Sequence, residues 1–391
     1  MDVVIVAAAR TPIGTARKGT LLDVSAFELA RHAVGAALGR SGIEASEVDD
    51  LQMGESLQGG GDIARYAAVE LGITNVPGVA LNRHCASGMA SVQNAAGSIA
   101  AGMDSVVIAG GAESISSSPM SKKRVLGTDE WEDWMSPSHP EQPDAPAFDM
   151  SITVGWNTAK KIGVSRSEMD EWAYRSHRRA VAAIDEGRLE EEIVPIEVKR
   201  RDGSVTTFAV DEHPRRDTSL EKLASLRPLH PEIDDFGVTA GNSSGLNDAG
   251  AALVLVSGDY ARAHGLQPLA RIRSWASVGL PPEDTGLGPI SAIPKALARA
   301  GMTVADVDLA EINEAFASVP VAACRELGLD PEITNPNGSG CSLGHPVAAT
   351  GTRMIITTLY ELRRRGGGVG LASMCAGGGM GSATVFEVFA G

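Results

Sequence analysis

The sequence predicts an α/β protein built of two similar halves with a further subdomain inserted between them. Three observations carry this prediction. Short apolar runs alternate with Ala-rich stretches of helical length, one stretch of the first half recurs near the C-terminus in fixed register, and composition changes sharply between the two copies. Buried strands alternating with helices imply sheets covered by helical layers. With 391 residues the chain is long enough for two or three domains and a large core.

In chain order, residues 3–8 are an apolar run with no positive charge before it, ended by Arg10-Thr11-Pro12. They read as a buried strand and not as a signal peptide. Residues 26–38, 89–101, 290–300 and 350–364 have helical length and small-residue composition, and 105–109, 252–256 and 370–374 read as further buried strands. Residues 37–55 and 296–314 align at a constant offset of 259, with identities Ala37/Ala296, Leu38/Leu297, Arg40/Arg299, Gly42/Gly301, Val48/Val307, Asp49/Asp308 and Glu55/Glu314. Both copies read as helix end, glycine stop, short acidic turn and strand. From 119 to 235 charges, prolines and tryptophans collect: Lys122-Lys123-Arg124, Trp131, Trp134, a loop over 136–146 and a charged run over 186–192. Helical spacing persists over 167–187, and 194–208 looks like a hairpin around Asp202-Gly203. Such a segment between repeats reads as an insertion, where specificity often resides.

Composition narrows the function. The net charge is −15, so nucleic acid or an anionic membrane would be repelled over most of the surface, and an anionic small substrate must meet a local basic patch. No stretch of about 18 apolar residues suggests a membrane span. The four cysteines, Cys85, Cys324, Cys341 and Cys375, fit neither a CxxC nor a Cys/His zinc spacing. No disulfide framework and no metal site are expected, and the setting is a reducing, cytoplasmic one. The 45 glycines and 20 prolines together exceed the roughly 12% of an average chain, which implies many tight turns and close backbone approaches.

Cys85 directly precedes the small-residue helix of 89–101, where the positive end of the helix dipole and unpaired N–H groups stabilise a thiolate or an oxyanion; the alternative is a small buried hydrophobe. His345 lies in a glycine-rich loop before another helix start, and is either a ligand-facing imidazole or structural. Cys375 ends a strand and is followed by Gly377, Gly378, Gly379 and Gly381, a bulge or hairpin whose N–H groups face a developing negative charge. Glu314 recurs as Glu55 and reads as structural, whereas Asn313 has no counterpart and suits a function private to one half.

Taken together, Cys85-Ala86-Ser87-Gly88-Met89, Thr239-Ala240-Gly241-Asn242-Ser243-Ser244-Gly245, Asn313-Glu314-Ala315-Phe316-Ala317, Gly344-His345-Pro346 and Cys375-Ala376-Gly377-Gly378-Gly379 resemble the motifs of thiolases, the acetyl-CoA acyltransferases, over essentially the whole chain. The resemblance implies two similar βαβαβαββ halves in a five-layer α-β-α-β-α arrangement: residues 1–118 with 239–266, and 267–391, with a CoA-binding loop domain over 119–238. It implies CoA-dependent cleavage of 3-ketoacyl-CoA to acyl-CoA and acetyl-CoA, as in β-oxidation, or the reverse Claisen condensation.

By the same resemblance Cys85 is the acylated nucleophile, His345 takes the thiol proton and donates to the thioester oxygen, and Cys375 exchanges the second proton. One oxyanion hole combines His345 with a water positioned by Asn313, and another the N–H groups of Cys85 and Gly377. Ser244 contacts pantetheine, Arg215 the adenine or a phosphate, and Met150 the acyl pocket. For Arg215 and Arg216 a solvated charged turn is the other reading. Coenzyme A is a substrate; no tightly bound cofactor, metal or nicotinamide is implied, and the assembly is a homodimer or homotetramer. Departures from the usual pattern are Asp149-Met150-Ser151, Trp156, the loop Gly338-Ser339-Gly340-Cys341-Ser342 and Ala348. They bear on the acyl pocket. Two other readings are a ketoacyl synthase or hydroxymethylglutaryl-CoA synthase relative, disfavoured by Cys375, and a non-catalytic acyl-CoA or lipid carrier, disfavoured by the presence of Cys85 and His345.

Overall fold

Eight consecutive buried residues form the first strand, β1 (Val3–Arg10), as expected where a strand is covered on both faces. The computed structural model describes residues 2–391. The first half continues with β2 (Gly14–Thr15), α1 (Ala26–Ser41), β3 (Asp50–Gly54), α2 (Ile63–Glu70), β4 (Gly78–Leu81), α3 (Ser87–Ala100) and β5 (Val106–Ser114). The insertion carries β6 (Ser121–Arg124), β7 (Trp131–Trp134), a π-helical turn over Ser151–Trp156, α4 (Asn157–Ile162), α5 (Arg166–Asp185), β8 (Ile196–Lys199), β9 (Val205–Phe208) and α6 (Leu220–Ala224). Then come β10 (Asn247–Ser257), α7 (Gly258–Ala263), β11 (Ala270–Gly279), α8 (Gly288–Ala300), β12 (Leu309–Ile312), α9 (Ser318–Leu327), α10 (Val347–Arg364), β13 (Gly368–Ala376) and β14 (Met380–Val388).

The strand order is β12-β13-β14-β11-β1-β10-β5-β3-β4, with β2 paired to β10. It reads as two copies of one pattern back to back: β11, β14, β13 and β12 follow in one direction as β1, β10, β5 and β3 do in the other. Among the described residues the two half-sheets pair edge to edge at Val4↔Arg271 and Ile5↔Ala270. Helices α3 and α10 pack on each other between the two half-sheets, α1 and α2 cover the outer face of the first half, and α8 and α9 that of the second. Three apolar cores fill the layers: one under α1 and α2, one around α3 and α10, and one under α8 and α9 that also takes in α5. This is the expected five-layer α/β arrangement.

The 259-residue repeat has a physical basis. Helices α1 and α8 each stop at a glycine in the left-handed region, Gly42 (φ 68°) and Gly301 (φ 69°). A single 3₁₀ turn follows in each, then β3 or β12, parallel to β5 or β13. The shared aspartates do the same work: Asp49 accepts from Ser105 and Val106 N–H, and Asp308 from Val369 N–H, pinning the start of the neighbouring strand.

All four predicted strands run further than their apolar cores, β10 and β5 by the most. β10 begins at Asn247 and not at 252, and β5 extends past residue 109 to Ser114. The added residues include the buried Asn247, Asp248 and Glu113, whose side chains find hydrogen-bond partners inside the protein. A hydropathy run ends at such residues although the strand does not. No helix among the described residues is long and apolar enough to cross a membrane.

Candidate active site

The C-terminal ends of β5 and β13 and the starts of α3 and α10 converge where the two halves meet. A methyl at Gly88 or Gly111 would run into the Ala348 carbonyl, so glycine is what lets α3 and β5 approach the first turn of α10.

Cys85 lies in the tight turn before α3. His84 adopts a left-handed conformation (φ 47°), its N–H bonded to Asn82 Oδ1 (2.9 Å), while Ser87 Oγ accepts from Arg83 N–H (2.9 Å) and donates to the His84 carbonyl (2.6 Å). The Cys85 sulfur faces the backbone N–H groups of Gly377 and of Cys85 itself. The sequence reading expected the helix start to favour thiolate. Instead burial, with a smaller push from Glu113, outweighs those N–H groups and raises the thiol to about 11. Cys85 therefore rests as a neutral thiol.

Cys375 is the penultimate residue of β13 and only 2% exposed. Burial drives its thiol well above the ordinary value, and Cys85, close enough to be felt, adds to the push. The loop after it, 377–379, joins β13 to β14 as a hairpin and is pinned by Thr285 Oγ1 on Gly379 N–H (2.9 Å). Gly377 also abuts His84 and Ser138 of the insertion.

Asn247 Oδ1 accepts the His345 N–H (3.0 Å), and the ring Nδ1 lies 2.7 Å from Thr350 Oγ1 on the first turn of α10. Burial, aided by Arg353, lowers the imidazole to about 3. The ring is therefore neutral, and its buried Nε2 has no protein partner. Base action there requires the proton on Nδ1, where the Thr350 hydroxyl is able to accept it.

Asn313 follows β12, with its N–H on the Ser373 carbonyl of the adjacent β13 (3.0 Å). Its side chain is wholly buried, yet neither Oδ1 nor Nδ2 has a protein partner. Its neighbour Glu314 is the opposite case, receiving Trp172 Nε1 (2.8 Å), Ser176 Oγ (2.6 Å), Asn335 Nδ2 (2.8 Å) and Cys341 N–H (3.1 Å). A carboxylate so satisfied is a structural anchor, as its recurrence suggested.

Profiles of known families match the chain almost end to end: "Thiolase, N-terminal domain" over residues 3–259 and "Thiolase, C-terminal domain" over 266–388. The chain belongs to the thiolase family. It is an acyltransferase of that family, with thiolase function over its full length and not that of the two alternative readings. It is 41% identical over 400 residues to beta-ketothiolase BktB of Cupriavidus necator, with 99% of both chains covered. To an acetyl-CoA acetyltransferase of Pseudomonas aeruginosa it is 42% identical, with 98% of both covered. Among solved structures it superposes on a Bacillus anthracis acetyl-CoA acetyltransferase with a TM-score of 0.91 (42% identity, 99% of both chains). Human mitochondrial 3-ketoacyl-CoA thiolase in complex with CoA gives 0.89 (36% identity, 99% of this chain and 98% of that one).

The other residues singled out by the thiolase resemblance lie on the insertion and on the segment leading from it to β10. Ser244 donates its N–H to the Ala315 carbonyl (2.9 Å), which docks the 239–245 loop on the Asn313 segment. Met150 is half-buried at the head of the π-helical turn and, like Trp156 and Phe316, packs against the apolar core under α8 and α9. Arg215 is held by its backbone N–H on His177 Nδ1 (3.1 Å) with the guanidinium exposed, whereas Arg216 pairs with Asp185 (2.6 Å).

The departures in this thiolase form connected sets. Asp149 accepts from Ser151 N–H and Oγ and pairs with His230 (2.9 Å); the His230 ring meets Phe236 edge-on, and Phe236 packs on Trp156 (5.2 Å). In the altered glycine loop Ser339 Oγ donates to Glu311, and Cys341 serves Glu314 through its N–H. Sequence reading missed Asn247, Thr350 and Glu113, because none lies in a recognisable motif. The available signal was a polar residue at the end of an apolar run.

Proposed function

We propose that this thiolase cleaves 3-ketoacyl-CoA with CoA to give acyl-CoA and acetyl-CoA, and catalyses the reverse condensation, through an acyl group on Cys85. The observation that carries this reading is the burial of an imidazole nitrogen and an amide with no partners among the described residues, on segments that pack against those carrying the two thiols. Unpaired polar groups in a dry site are costly unless a reacting group uses them.

In cleavage the Cys85 sulfur attacks the 3-keto carbon as its proton passes to His345 Nε2. With the thiol resting high and the imidazole low, the proton moves as the C–S bond forms and not before. The alkoxide is held by the N–H groups of Cys85 and Gly377. Collapse breaks the C2–C3 bond, and the electron pair becomes the acetyl-CoA enolate, its oxygen held by His345 and by a water on Asn313. Cys375 gives its proton to the enolate carbon. The thiol of CoA then attacks the acyl-enzyme, its proton goes to Cys375, and the proton on His345 returns to Cys85. Each oxyanion donor is worth about 3–4 kcal/mol.

CoA binding is assigned to Ser244 and Arg215, and the acyl pocket to Met150 with the Asp149–Trp156 set; the relative solved with CoA supports a CoA site in this fold. Coenzyme A acts as substrate, with no tightly bound cofactor or metal. The working form is a homodimer or homotetramer in the cytoplasm. Purified protein given 3-ketoacyl-CoA and CoA is expected to release acyl-CoA and acetyl-CoA, with a panel of straight, branched and ring-bearing acyl groups defining the preference. Cys85→Ser should abolish the acyl-enzyme seen by intact-mass spectrometry; ordinary turnover in that variant would remove the nucleophile assignment.

A further inference from the structure

Glu113 is a further polar side chain in this region, and the mechanism above does not use it. It lies near the end of β5, fully buried (0% exposed). Its Oε1 accepts from Leu57 N–H (3.1 Å) and Gln58 Nε2 (2.8 Å), and its Oε2 from Ala348 N–H (3.3 Å) at the start of α10. Three N–H donors serve its two oxygens, an arrangement that favours the ionised carboxylate. The Ala348 contact is made three residues beyond His345, on the turn whose other anchors are Asn247 and Thr350.

We propose that ionised Glu113 is a positioning residue, holding the first turn of α10, and with it the His345 imidazole, in register with Cys85. The proposal rests on the acyl-Cys85 reading above. Protonation removes the negative charge that strengthens these three contacts, so the hold on Ala348 N–H weakens and the turn loosens. The titratable groups facing Glu113 are Glu55 on the 55–58 loop, which opposes its ionisation, and Cys85 on the turn before α3; its cross-strand partner on β10 is Ala249, and α10 presents Ala348. Burial, with a smaller contribution from Glu55, lifts Glu113 to about 7 against the pull of its three donors. Its titration thus falls where His345, at about 3, and Cys85, at about 11, do not titrate.

The test is the rate of Cys85 acylation by acyl-CoA, followed by intact-mass quench from pH 5.5 to 9, in the wild type, Gln58→Leu and Glu113→Gln. The wild type should lose rate on the acid side of an inflection near 7. Gln58→Leu removes one donor from the carboxylate and should move that inflection up by about half a unit to one unit, a displacement that loss of packing alone does not produce. Glu113→Gln turns an amide donor toward an N–H group and should be slow at all pH values, about 10- to 100-fold, without the inflection, while KM for acyl-CoA changes less than threefold. An inflection unmoved in Gln58→Leu, or wild-type rates in Glu113→Gln, overturns the role of Glu113 and leaves the thiolase mechanism standing. Absence of acyl-Cys85 at every pH rejects that mechanism and this proposal with it. Should Glu113→Gln not fold, the wild type and Gln58→Leu decide the matter.

Discussion

Four cysteines of identical chemistry meet different fates here, and position explains each. Cys85 is partly exposed in a strained turn with N–H groups on its sulfur, whereas Cys375 closes a strand within the core. Cys324 and Cys341 are buried, their sulfurs bonded to Thr334 Oγ1 and the Glu314 carbonyl. A thiol kept neutral by burial beside Cys85, the cysteine proposed to carry the acyl group, is suited to handing over a proton and not to attacking. Cys375→Ala is therefore expected to be acylated on Cys85 by acetyl-CoA at near-normal extent yet to lose at least 100-fold in exchange of acetyl methyl protons with solvent deuterium. Exchange at the wild-type rate would reject its role. Asn313 and Glu314 teach the same lesson from adjacent positions: one buried polar side chain has no protein partner and the other has four, so only the first has capacity left for a reacting group.

At the scale of elements, the site depends on the close approach of α3 and β5 to α10. A methyl at Gly111 meets the Ala348 carbonyl, a backbone atom that cannot swing aside, so α10 must move. Gly111→Ala should lower stability by about 1–3 kcal/mol, read from the urea midpoint, and reduce acylation by displacing His345. Gly39, exposed within α1 with nothing within 4 Å of a methyl position, is the matching control: Gly39→Ala should stabilise by about 0.5–1 kcal/mol and leave turnover unchanged. Equal effects at the two positions would show that glycine content, and not close approach, governs this region.

Across the whole molecule, the insertion is tied to both halves through buried charge. Arg10, at the end of β1 and 0% exposed, donates to Glu192 Oε1 (2.7 Å) and to both oxygens of Asp211 (2.8 Å each), while Thr357 of α10 also donates to Glu192 (3.0 Å). One arginine thus links the first half, two points of the insertion and, through Glu192, the helix that follows His345. Arg10→Met leaves two carboxylates in the core without their countercharge and should cost about 3–5 kcal/mol at pH 7. The deficit should shrink at lower pH. Burial already raises Glu192 above the ordinary carboxylate range, and without Arg10 it rises further, so the variant's folded state takes up protons before the unfolded chain does. Urea midpoints at pH 5.5 and 7.5 check the sign; a pH-independent loss would mean that packing, and not charge, is what Arg10 supplies.

Much of this was legible in the linear order of residues. The apolar runs, the glycine stops at Gly42 and Gly301, the repeated Asp49 and Asp308, and the motifs at Cys85, Asn313, His345 and Cys375 all express constraints that act within about a dozen residues, where periodicity and turn chemistry are direct physical signals. They determined the layered α/β class, the two halves and the family. What tertiary structure decided is everything that depends on desolvation and on partners distant in the chain. Cys85 rests as a thiol because the fold desolvates its sulfur although the residue stays partly exposed; Asn313 is unpaired and Glu314 saturated because α5 reaches one and not the other; and Glu113, Asn247 and Thr350 anchor the His345 segment because β5, β10 and α10 meet there. A side chain's burial and its partners belong to the folded surroundings, and no local pattern records them.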